Sequence, residues 1–190
     1  MRRFIFNLVS VLFSAVKFGI MKLFHFHHFF YSGVQRFSPN TEVVIAEGGT
    51  IRLGRHVRAH RRSKLLAMDG GTLEIGSNTA LGNGVSVNCM ESIVIGEGVQ
   101  IGPDTKIYDH DHDYRVPGGI GAGKFVTAPV TIGDNSWTGC NVVILRGTSI
   151  GKNCIVGAGS VLKGTYPDNS VIVQKRQTTA TVYPLERTEK

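Results

Sequence analysis

The chain contains few cysteines, and their spacing excludes several classes of protein. It has three in 190 residues, Cys89, Cys140 and Cys154. An odd number of cysteines without metal-ligand spacing fits neither a disulfide framework nor a zinc site. We therefore expect all three to be reduced and buried, as in a cytoplasmic protein.

Acidic residues are scarce in the first third of the chain. Residues 1–64 hold 11 Lys and Arg against only Glu42 and Glu47, and the whole chain carries a net charge of +7. The densest basic run comprises Arg52, Arg55, Arg58, Arg61, Arg62 and Lys64. No aromatic residues are interleaved with this run for bases to stack on, so we expect no nucleic acid partner. The remaining partners are anionic lipid or a phosphorylated acceptor, unless the run is only a solvated face.

Residues 41–173 lack the apolar spacing of a helix or a plain strand. Between positions 132 and 162, every sixth residue is aliphatic except Thr138: Ile132, Ile144, Ile150, Val156 and Leu162. Shorter blocks with the same period lie upstream, between positions 53 and 107. A helix repeats apolar residues at three and four positions and a strand at two. A period of six instead predicts a parallel β-helix, in which each short strand points one aliphatic side chain at the axis.

The apolar segment of residues 4–24 predicts a helix with one narrow polar stripe. Asn7, Ser10, Ser14 and Lys17 are spaced three, four and three residues apart. We interpret this helix as lying on an anionic membrane surface with the stripe toward the head groups. A cap on the open end of the β-helix and a membrane span are the alternatives. The expected location is the cytoplasm, peripheral at the inner face of the cell membrane.

The expected organisation has three parts. Residues 1–40 form the N-terminal helical segment, residues 41–173 form the β-helix, and residues 174–190 form a basic C-terminal tail. One long loop, residues 108–129, interrupts the repeat and carries Asp109, His110, Asp111, His112 and Asp113. A histidine takes a proton near neutral pH, and an adjacent carboxylate orients its ring. We therefore expect the loop to hold a general base, and we expect no metal site.

The run IGDNSWTGCNVVILRGTSIGKNCIVGAGSVL resembles the hexapeptide-repeat acyltransferases, which have a left-handed β-helix. More narrowly, it is similar to the maltose, galactoside and nodulation-factor O-acetyltransferases and to enzymes that acetylate bacterial surface polysaccharides. In the sugar acetyltransferases the catalytic histidine lies eleven residues after the Ile of an Ile-Gly/Ala-Pro hexad. From Ile101 this register leads to His112, so the resemblance implies His112 as the base, with His110 as its neighbour.

The resemblance also implies the binding residues. Trp137 would wall the acyl site, and backbone at Cys140, Gly157, Ala158 and Gly159 would bind the pantetheine arm of acetyl-CoA. The basic residues Lys163, Lys175 and Arg176 would meet the phosphates of the coenzyme, although the tail departs from the family's usual sequence. Asn83 and Asn88 are the candidates for the acceptor. The expected assembly is a homotrimer with sites between subunits, and the expected acceptor is a saccharide, free or lipid-linked.

Several functions remain as alternatives to O-acetylation. An amino-sugar N-acetyltransferase would have the same fold. A β-helical carbonic anhydrase would need three histidine ligands, and His56 and His60, followed by His110 and His112, offer no convincing spacing for a third ligand. A non-catalytic trimeric scaffold would leave the histidine-rich loop without a purpose.

Overall fold

The computed structural model describes residues 2–175, 177 and 179–181, and shows the predicted left-handed parallel β-helix. Each coil contributes one short strand to each of three parallel sheets, so that six full coils and two further strands stack along one axis. A helix, Arg2–Phe24, precedes the first coil.

The strands are short, as a repeat of six residues with a corner after each strand requires. The first sheet contains, in spatial order, Phe29–Tyr31, Thr50–Leu53, Thr72–Ile75, Ser92–Ile95, Val130–Ile132, Ser149–Ile150 and Thr165–Tyr166. The second contains Arg36–Phe37, Arg58–Ala59, Ala80–Leu81, Gln100–Ile101, Trp137–Thr138, Ile155–Val156 and Val171–Ile172. The third contains Glu42–Ile45, Lys64–Ala67, Ser86–Cys89, Lys106–Tyr108, Val143–Ile144 and Val161–Leu162.

The aliphatic residues of the repeat stack in columns inside the coils. On the first sheet Leu53, Ile75, Ile95, Ile132 and Ile150 are direct neighbours along one column and are all buried. Thr138, the exception in the repeat, occupies an inward position on the second sheet. Its hydroxyl accepts a hydrogen bond from the backbone N–H of Gly102 at 3.0 Å, which satisfies the buried oxygen.

The β-helix begins earlier than predicted. Phe29–Tyr31 pairs in parallel with Thr50–Leu53, so the first coil starts at Phe29 and not at residue 41. The inward positions of this coil hold Phe29 and Phe37. Large aromatic residues replace the aliphatic ones here because the first coil has the helix, and not another coil, on its outer side. The repeat of aliphatic residues therefore fails to mark this coil.

The N-terminal helix caps the open end of the β-helix. Its residue Phe18 is fully buried and packs edge-on against Phe29 and Phe37 of the first coil. Ser14 accepts a hydrogen bond from the backbone N–H of Phe37 at 2.7 Å, and Lys17 donates one to the carbonyl of Thr41 at 2.8 Å. Burial lowers the pKa of the Lys17 amine.

The expected orientation of the polar stripe is wrong. Ser10 and Ser14 are 1% exposed and Lys17 is half-buried, so the stripe faces the first coil and not lipid head groups. Ser14 and Lys17 face this way because the open end of a β-helix presents unpaired backbone groups of its first coil, which need polar partners. The hydroxyl of Ser10 has no hydrogen-bond partner among the described residues. The segment Ile5–Phe24 is also long and apolar enough to cross a membrane, by length and composition.

Replacing Phe18 by Ala should destabilise the protein by about 3–5 kcal/mol, because it opens a cavity among three buried aromatic rings. The measurement is the midpoint of guanidinium unfolding followed by circular dichroism. Phe24→Ala is the matched control, since Phe24 lies on the same helix and is 76% exposed. Equal losses in the two variants would contradict a capping role for the helix.

Candidate active site

The long loop folds as a hairpin at the corner between the third and the first sheet. It leaves the coil after the strand Lys106–Tyr108 and returns at Val130–Ile132. Within it, His110–His112 pairs antiparallel with Phe125–Thr127, and a 3-10 turn, Gly119–Ala122, lies between them. The backbone of both histidines is held by pairing with the returning strand, so the hairpin fixes where their side chains leave the backbone.

Asp109 anchors the hairpin to the preceding coil. Its side chain is fully buried, and its carboxylate accepts hydrogen bonds from the backbone N–H groups of Met90, Glu91 and Ser92 at 2.8–3.1 Å. The backbone carbonyl of Asp109 accepts a further bond from Ala128 at 2.8 Å. One residue therefore ties both ends of the loop to the coil beside it.

Asp109 also orients His110. Its Oδ1 lies 2.9 Å from Nδ1 of His110, whose side chain is 13% exposed. Burial alone would raise the pKa of the Asp109 carboxyl, but the hydrogen bonds from His110 and from the backbone of Glu91 and Met90 outweigh it and lower the pKa. The carboxylate stays ionised at neutral pH and favours Nδ1 protonated, which leaves Nε2 as the acceptor.

His112 has a more open environment than His110. It is exposed, and its ring lies against Phe125 with 4.6 Å between ring centroids. Phe125 also meets the ring of His110 edge-on at 5.6 Å. The phenyl ring thus supports both imidazoles. The sequence reasoning did not select Phe125; the only signal was its position in the strand that returns along the histidines.

The other two carboxylates of the loop have partners other than histidine. Asp111 accepts a hydrogen bond from Nε of Arg146 at 2.6 Å. Asp113 accepts one from the backbone N–H of Arg115 at 3.0 Å, within its own turn. Asp111 therefore fixes the hairpin to the corner of the following coil, and Asp113 shapes the loop. The contact with Arg146 spans 35 residues and no local pattern indicates it.

Trp137 lies on a different sheet from the base of the hairpin. It belongs to the second sheet, where it is half-exposed beside Gln100 and Ile155. The loop leaves the β-helix at the corner between the third and first sheets, across the coil from the second sheet. The fold of one chain therefore does not by itself bring Trp137 and the histidines into one site.

The predicted coenzyme residues come together at the corner between the second and third sheets. Gly159 donates its backbone N–H to the carbonyl of Cys140 at 2.8 Å, so the two residues are neighbours on adjacent coils. Ala158, which lies between Gly157 and Gly159 in the chain, is exposed. A Cβ on Gly139 would lie 2.6 Å from the backbone nitrogen of Ala158, and one on Gly157 would lie 2.9 Å from Val173. The corner is therefore narrow and lined by backbone.

The basic residues of the C-terminal end lie close to the last coil. Lys163 and Lys175 are exposed. Gln174, next to Lys175, bonds both backbone groups of Val161, two residues before Lys163. Arg176 lies outside the described residues.

The two candidate acceptor residues are separated by the fold. Asn88 lies on the third sheet directly beside Tyr108, at the base of the hairpin, and its amide donates to Ser86 at 3.0 Å. Asn83 is exposed at the corner between the second and third sheets. Only Asn88 is next to the loop.

The cysteines agree only in part with expectation. All three are free, but Cys140 is exposed while Cys89 and Cys154 are buried. Cys140 occupies the outward side of a corner, which a period of six does not distinguish from an inward position. Burial, and then the charge of Asp109, raises the pKa of the Cys89 thiol well above its usual range, so it remains protonated.

A histidine metal centre has no support from the geometry. Among the described residues, no group of three or more His, Cys, Asp and Glu is arranged to hold a metal ion. His56 and His60 lie at two corners of the second coil, away from the corner that carries the hairpin.

Comparisons with known proteins place the fold and its loop in a family of transferases. The family described as bacterial transferase hexapeptide (six repeats) matches residues 129–164. WbbJ of Escherichia coli, named for lipopolysaccharide biosynthesis O-acetyl transfer, is 30% identical over 138 residues, 67% of this chain and 69% of that protein. The chain therefore belongs to the hexapeptide-repeat acyltransferase family.

Other relatives match over less of their length. A protein of Mycobacterium tuberculosis, Rv3034c, named as an acetyltransferase, is 33% identical over 126 residues, 65% of this chain but 41% of that protein. Galactoside O-acetyltransferase of Escherichia coli is 31% identical over 54% of this chain and 50% of its own length. The chain thus spans about half the length of several curated relatives.

Solved structures show the same fold. A hexapeptide-repeat acetyltransferase of Vibrio cholerae, complexed with acetyl-coenzyme A, has a TM-score of 0.51 at 28% identity, covering 62% of this chain and 66% of that one. The N-acyltransferase AntD of Bacillus cereus, in complex with dTDP and coenzyme A, has a TM-score of 0.64 at 19% identity and covers 81% and 84%.

Replacing Asp109 by Asn should cost about 2–4 kcal/mol at pH 7, because a neutral amide leaves buried N–H groups without an anionic acceptor. The native carboxyl has a lowered pKa, so its stabilisation is present above its unfolded pKa and is lost as pH falls through the folded value. The difference between wild type and Asp109→Asn should therefore shrink below about pH 4. Guanidinium midpoints at pH 7 and in acid measure it, and a difference independent of pH would contradict the anchor.

Proposed function

We propose that the chain is an acetyl-CoA-dependent O-acetyltransferase that acts on a sugar hydroxyl of a glycan or lipid-linked saccharide. The observation that carries the proposal is the histidine hairpin, anchored through a buried carboxylate to the coils of a hexapeptide-repeat fold. Family membership and the naming of WbbJ and galactoside O-acetyltransferase support transfer to oxygen. The Vibrio relative supports acetyl-CoA as the donor.

The reaction is acyl transfer from a thioester to a hydroxyl. The imidazole removes the hydroxyl proton as the oxygen attacks the thioester carbonyl. The new C–O bond forms, the C–S bond breaks, and the coenzyme leaves as a thiolate that takes the proton back from the imidazolium. The result is an acetyl ester and coenzyme A, with no net change in protonation of the enzyme.

His112 is the base in this proposal, and His110 is a positioning residue. Two observations support that division. The register from Ile101 leads to His112, and His112 is exposed and therefore reachable by an acceptor. His110 is nearly buried, and its ring is held by the carboxylate of Asp109.

The donor would lie along the narrow corner formed by Cys140, Gly157, Ala158 and Gly159. The small residues there suit a thin pantetheine arm, because Ala158 and Cys140 are exposed and Gly157 and Gly159 are half-buried, so the backbone is within reach. Lys163 and Lys175, exposed near the last coil, are suitably charged for the coenzyme phosphates. Arg176 belongs to the same proposal by sequence alone.

The proposed assembly is a homotrimer with one site at each interface. Trp137 and the hairpin occupy different sides of one chain, and a cyclic arrangement of three chains would bring the second sheet of one copy against the hairpin of the next. The acyl site would then take Trp137 from one chain and His112 from its neighbour.

His112→Ala should reduce kcat by ~10²–10⁴, the usual worth of a positioned base, with little change in binding of acetyl-CoA. His110→Ala should cost less in kcat. Release of coenzyme A with a saccharide acceptor, measured by a thiol reagent, gives the rate, and calorimetry gives coenzyme binding. A nearly normal His112→Ala with an inactive His110→Ala would assign the base to His110.

A screen of acceptors separates O-acetylation from N-acetylation. Sugars that carry only hydroxyl groups are compared with amino sugars as acetyl acceptors.

Two inactive variants should complement each other if the sites lie between subunits. In trimers mixed at random from His112→Ala and Trp137→Ala chains, roughly a quarter of the interfaces would combine an intact His112 with an intact Trp137. Coexpression should therefore restore about a quarter of wild-type activity, whereas separately purified homotrimers stay inactive. Light scattering checks the trimer, and absence of any restoration would place both residues in one chain's site.

A further inference from the structure

The N-terminal helix has a second face, which no part of the described chain covers. Its exposed residues, hereafter the apolar face, recur every three or four positions and are all apolar: Ile5, Leu8, Val9, Leu12, Ala15, Val16, Gly19, Ile20, Leu23 and Phe24. Leu12 is 58% and Val16 64% exposed although the opposite side of the same helix is buried. A continuous apolar surface of this length on one helix indicates a partner.

The two lysines of the helix do not interrupt this face. Lys17 is bound to the carbonyl of Thr41, and Lys22 donates to the carbonyls of Phe26 and Phe29 at 3.1 and 2.9 Å. Both amines are thus directed toward the β-helix. Over the described part of the helix, Ile5–Phe24, the exposed residues are therefore all apolar.

A belt of basic side chains surrounds the second coil, next to the capped end. This basic ring consists of Arg52, Arg55, Arg58, Arg61, Arg62 and Lys64. The strands place Arg52 on the first sheet, Arg58 on the second and Lys64 on the third. Arg55 and Arg61 lie exposed at the corners between them. Glu74 and Glu42 pair with Arg52 and Lys64, and the ring keeps a positive excess.

We infer that the apolar face and the basic ring together dock the protein on an anionic membrane surface, with the axis of the β-helix directed away from the bilayer. The apolar face would enter the boundary between acyl chains and head groups, and the ring would lie one coil further out, where long arginine side chains reach anionic head groups. Apolar burial and charge attraction then act on the same end of the molecule.

The charge distribution argues against a second copy as the occupant. Two chains that met through their apolar faces would bring two basic rings toward each other, and like charges would repel across the contact. A membrane span is also disfavoured. Phe18, Ser14 and Lys17 hold the helix against the first coil, and a span would expose those polar and aromatic contacts to lipid.

The docking sets the height of the hairpin. Strands of adjacent coils are about 4.8 Å apart, so the loop between the fourth and fifth coils stands roughly 10–14 Å beyond the basic ring. If the proposed O-acetyltransferase function holds, this places the site at a short distance from the head groups. An acceptor saccharide carried on a membrane lipid fits that height.

The test is flotation of the whole protein with vesicles, without acetyl-CoA or acceptor. Wild type should bind vesicles that contain phosphatidylglycerol, and it should bind more weakly to vesicles of phosphatidylcholine alone. Leu12→Glu combined with Val16→Glu should weaken binding about tenfold or more, because two charges would enter the interface. Val171→Glu, an exposed valine on the last coil, is the matched control and should bind normally. Arg55→Glu with Arg61→Glu should weaken binding only to the anionic vesicles.

Tryptophan fluorescence tests the orientation. Trp137, the only tryptophan, lies on the fifth coil and should not be quenched by brominated lipids, whereas a Leu23→Trp variant should be. Quenching of Trp137 would overturn the upright docking. Normal flotation of the Leu12→Glu/Val16→Glu variant would overturn the apolar face as the contact.

Two other outcomes would assign the face to a different occupant. A solution mass that falls in the Leu12→Glu/Val16→Glu variant would identify a second copy. Resistance of wild type to alkaline carbonate extraction would identify a span. Because these measurements contain no substrate, a protein that binds vesicles but transfers no acetyl group would refute the enzymatic proposal and leave this one intact.

Discussion

The corners of the coil are the constraint on which the structure depends. Between the first and second sheets the chain turns through a residue in the left-handed region, and these residues stack from coil to coil: His56, Asn78, Gly98, Asn135, Asn153 and Asn169, with φ of 54–68°. Asparagine adopts this conformation more easily than most residues. The backbone N–H groups of Asn135, Asn153 and Asn169 each donate to the coil before at 2.8 Å. The stacked corners keep the coils in register, and the register keeps the aliphatic columns buried.

A fixed register also explains how a long loop becomes a site. At the corner between the third and first sheets, 21 residues, 109–129, replace a short turn between the fourth and fifth coils, and the coils on both sides stay aligned. The buried carboxylate of Asp109 bonds three successive backbone N–H groups of the corner one coil earlier. Desolvation of that carboxylate is offset by four charge-assisted hydrogen bonds, one of which orients His110. The rigidity of the coil is thereby extended to an imidazole outside it.

The two ends of the β-helix are covered by different elements. At the last coil, within the part of the chain that the structure describes, the side chain of Gln174 bonds both backbone groups of Val161. At the first coil a whole helix covers aromatic residues with a face that is largely polar at its centre, because Ser14 must satisfy a backbone group of Phe37. A polar stripe on an apolar helix therefore marks the buried side here. The usual expectation, apolar inside and polar outside, is reversed for a cap on open strands.

The sequence by itself determined the fold and the place where a long loop interrupts it. A period of six is a local property, since each strand and corner spans six residues and the same residue types recur wherever the same backbone angles recur. The acid-rich histidine cluster is equally local. The first coil departs from that repeat, since Phe29 and Phe37 occupy its inward positions. The period of six is lost there, and the sequence pattern does not predict this coil.

The tertiary structure decided which groups meet. It directed Asp109, and not Asp111 or Asp113, to a histidine, brought Arg146 to Asp111, exposed Cys140, and turned Ser10 and Ser14 toward the first coil. These outcomes depend on contacts between residues 17 to 35 positions apart and on the difference between the inside and the outside of a corner. The spacing of residue types along one coil predicts neither these contacts nor the side of a corner that a residue occupies. The reason is that residues at the same position of successive repeats look alike in the sequence, although their neighbours on adjacent coils differ.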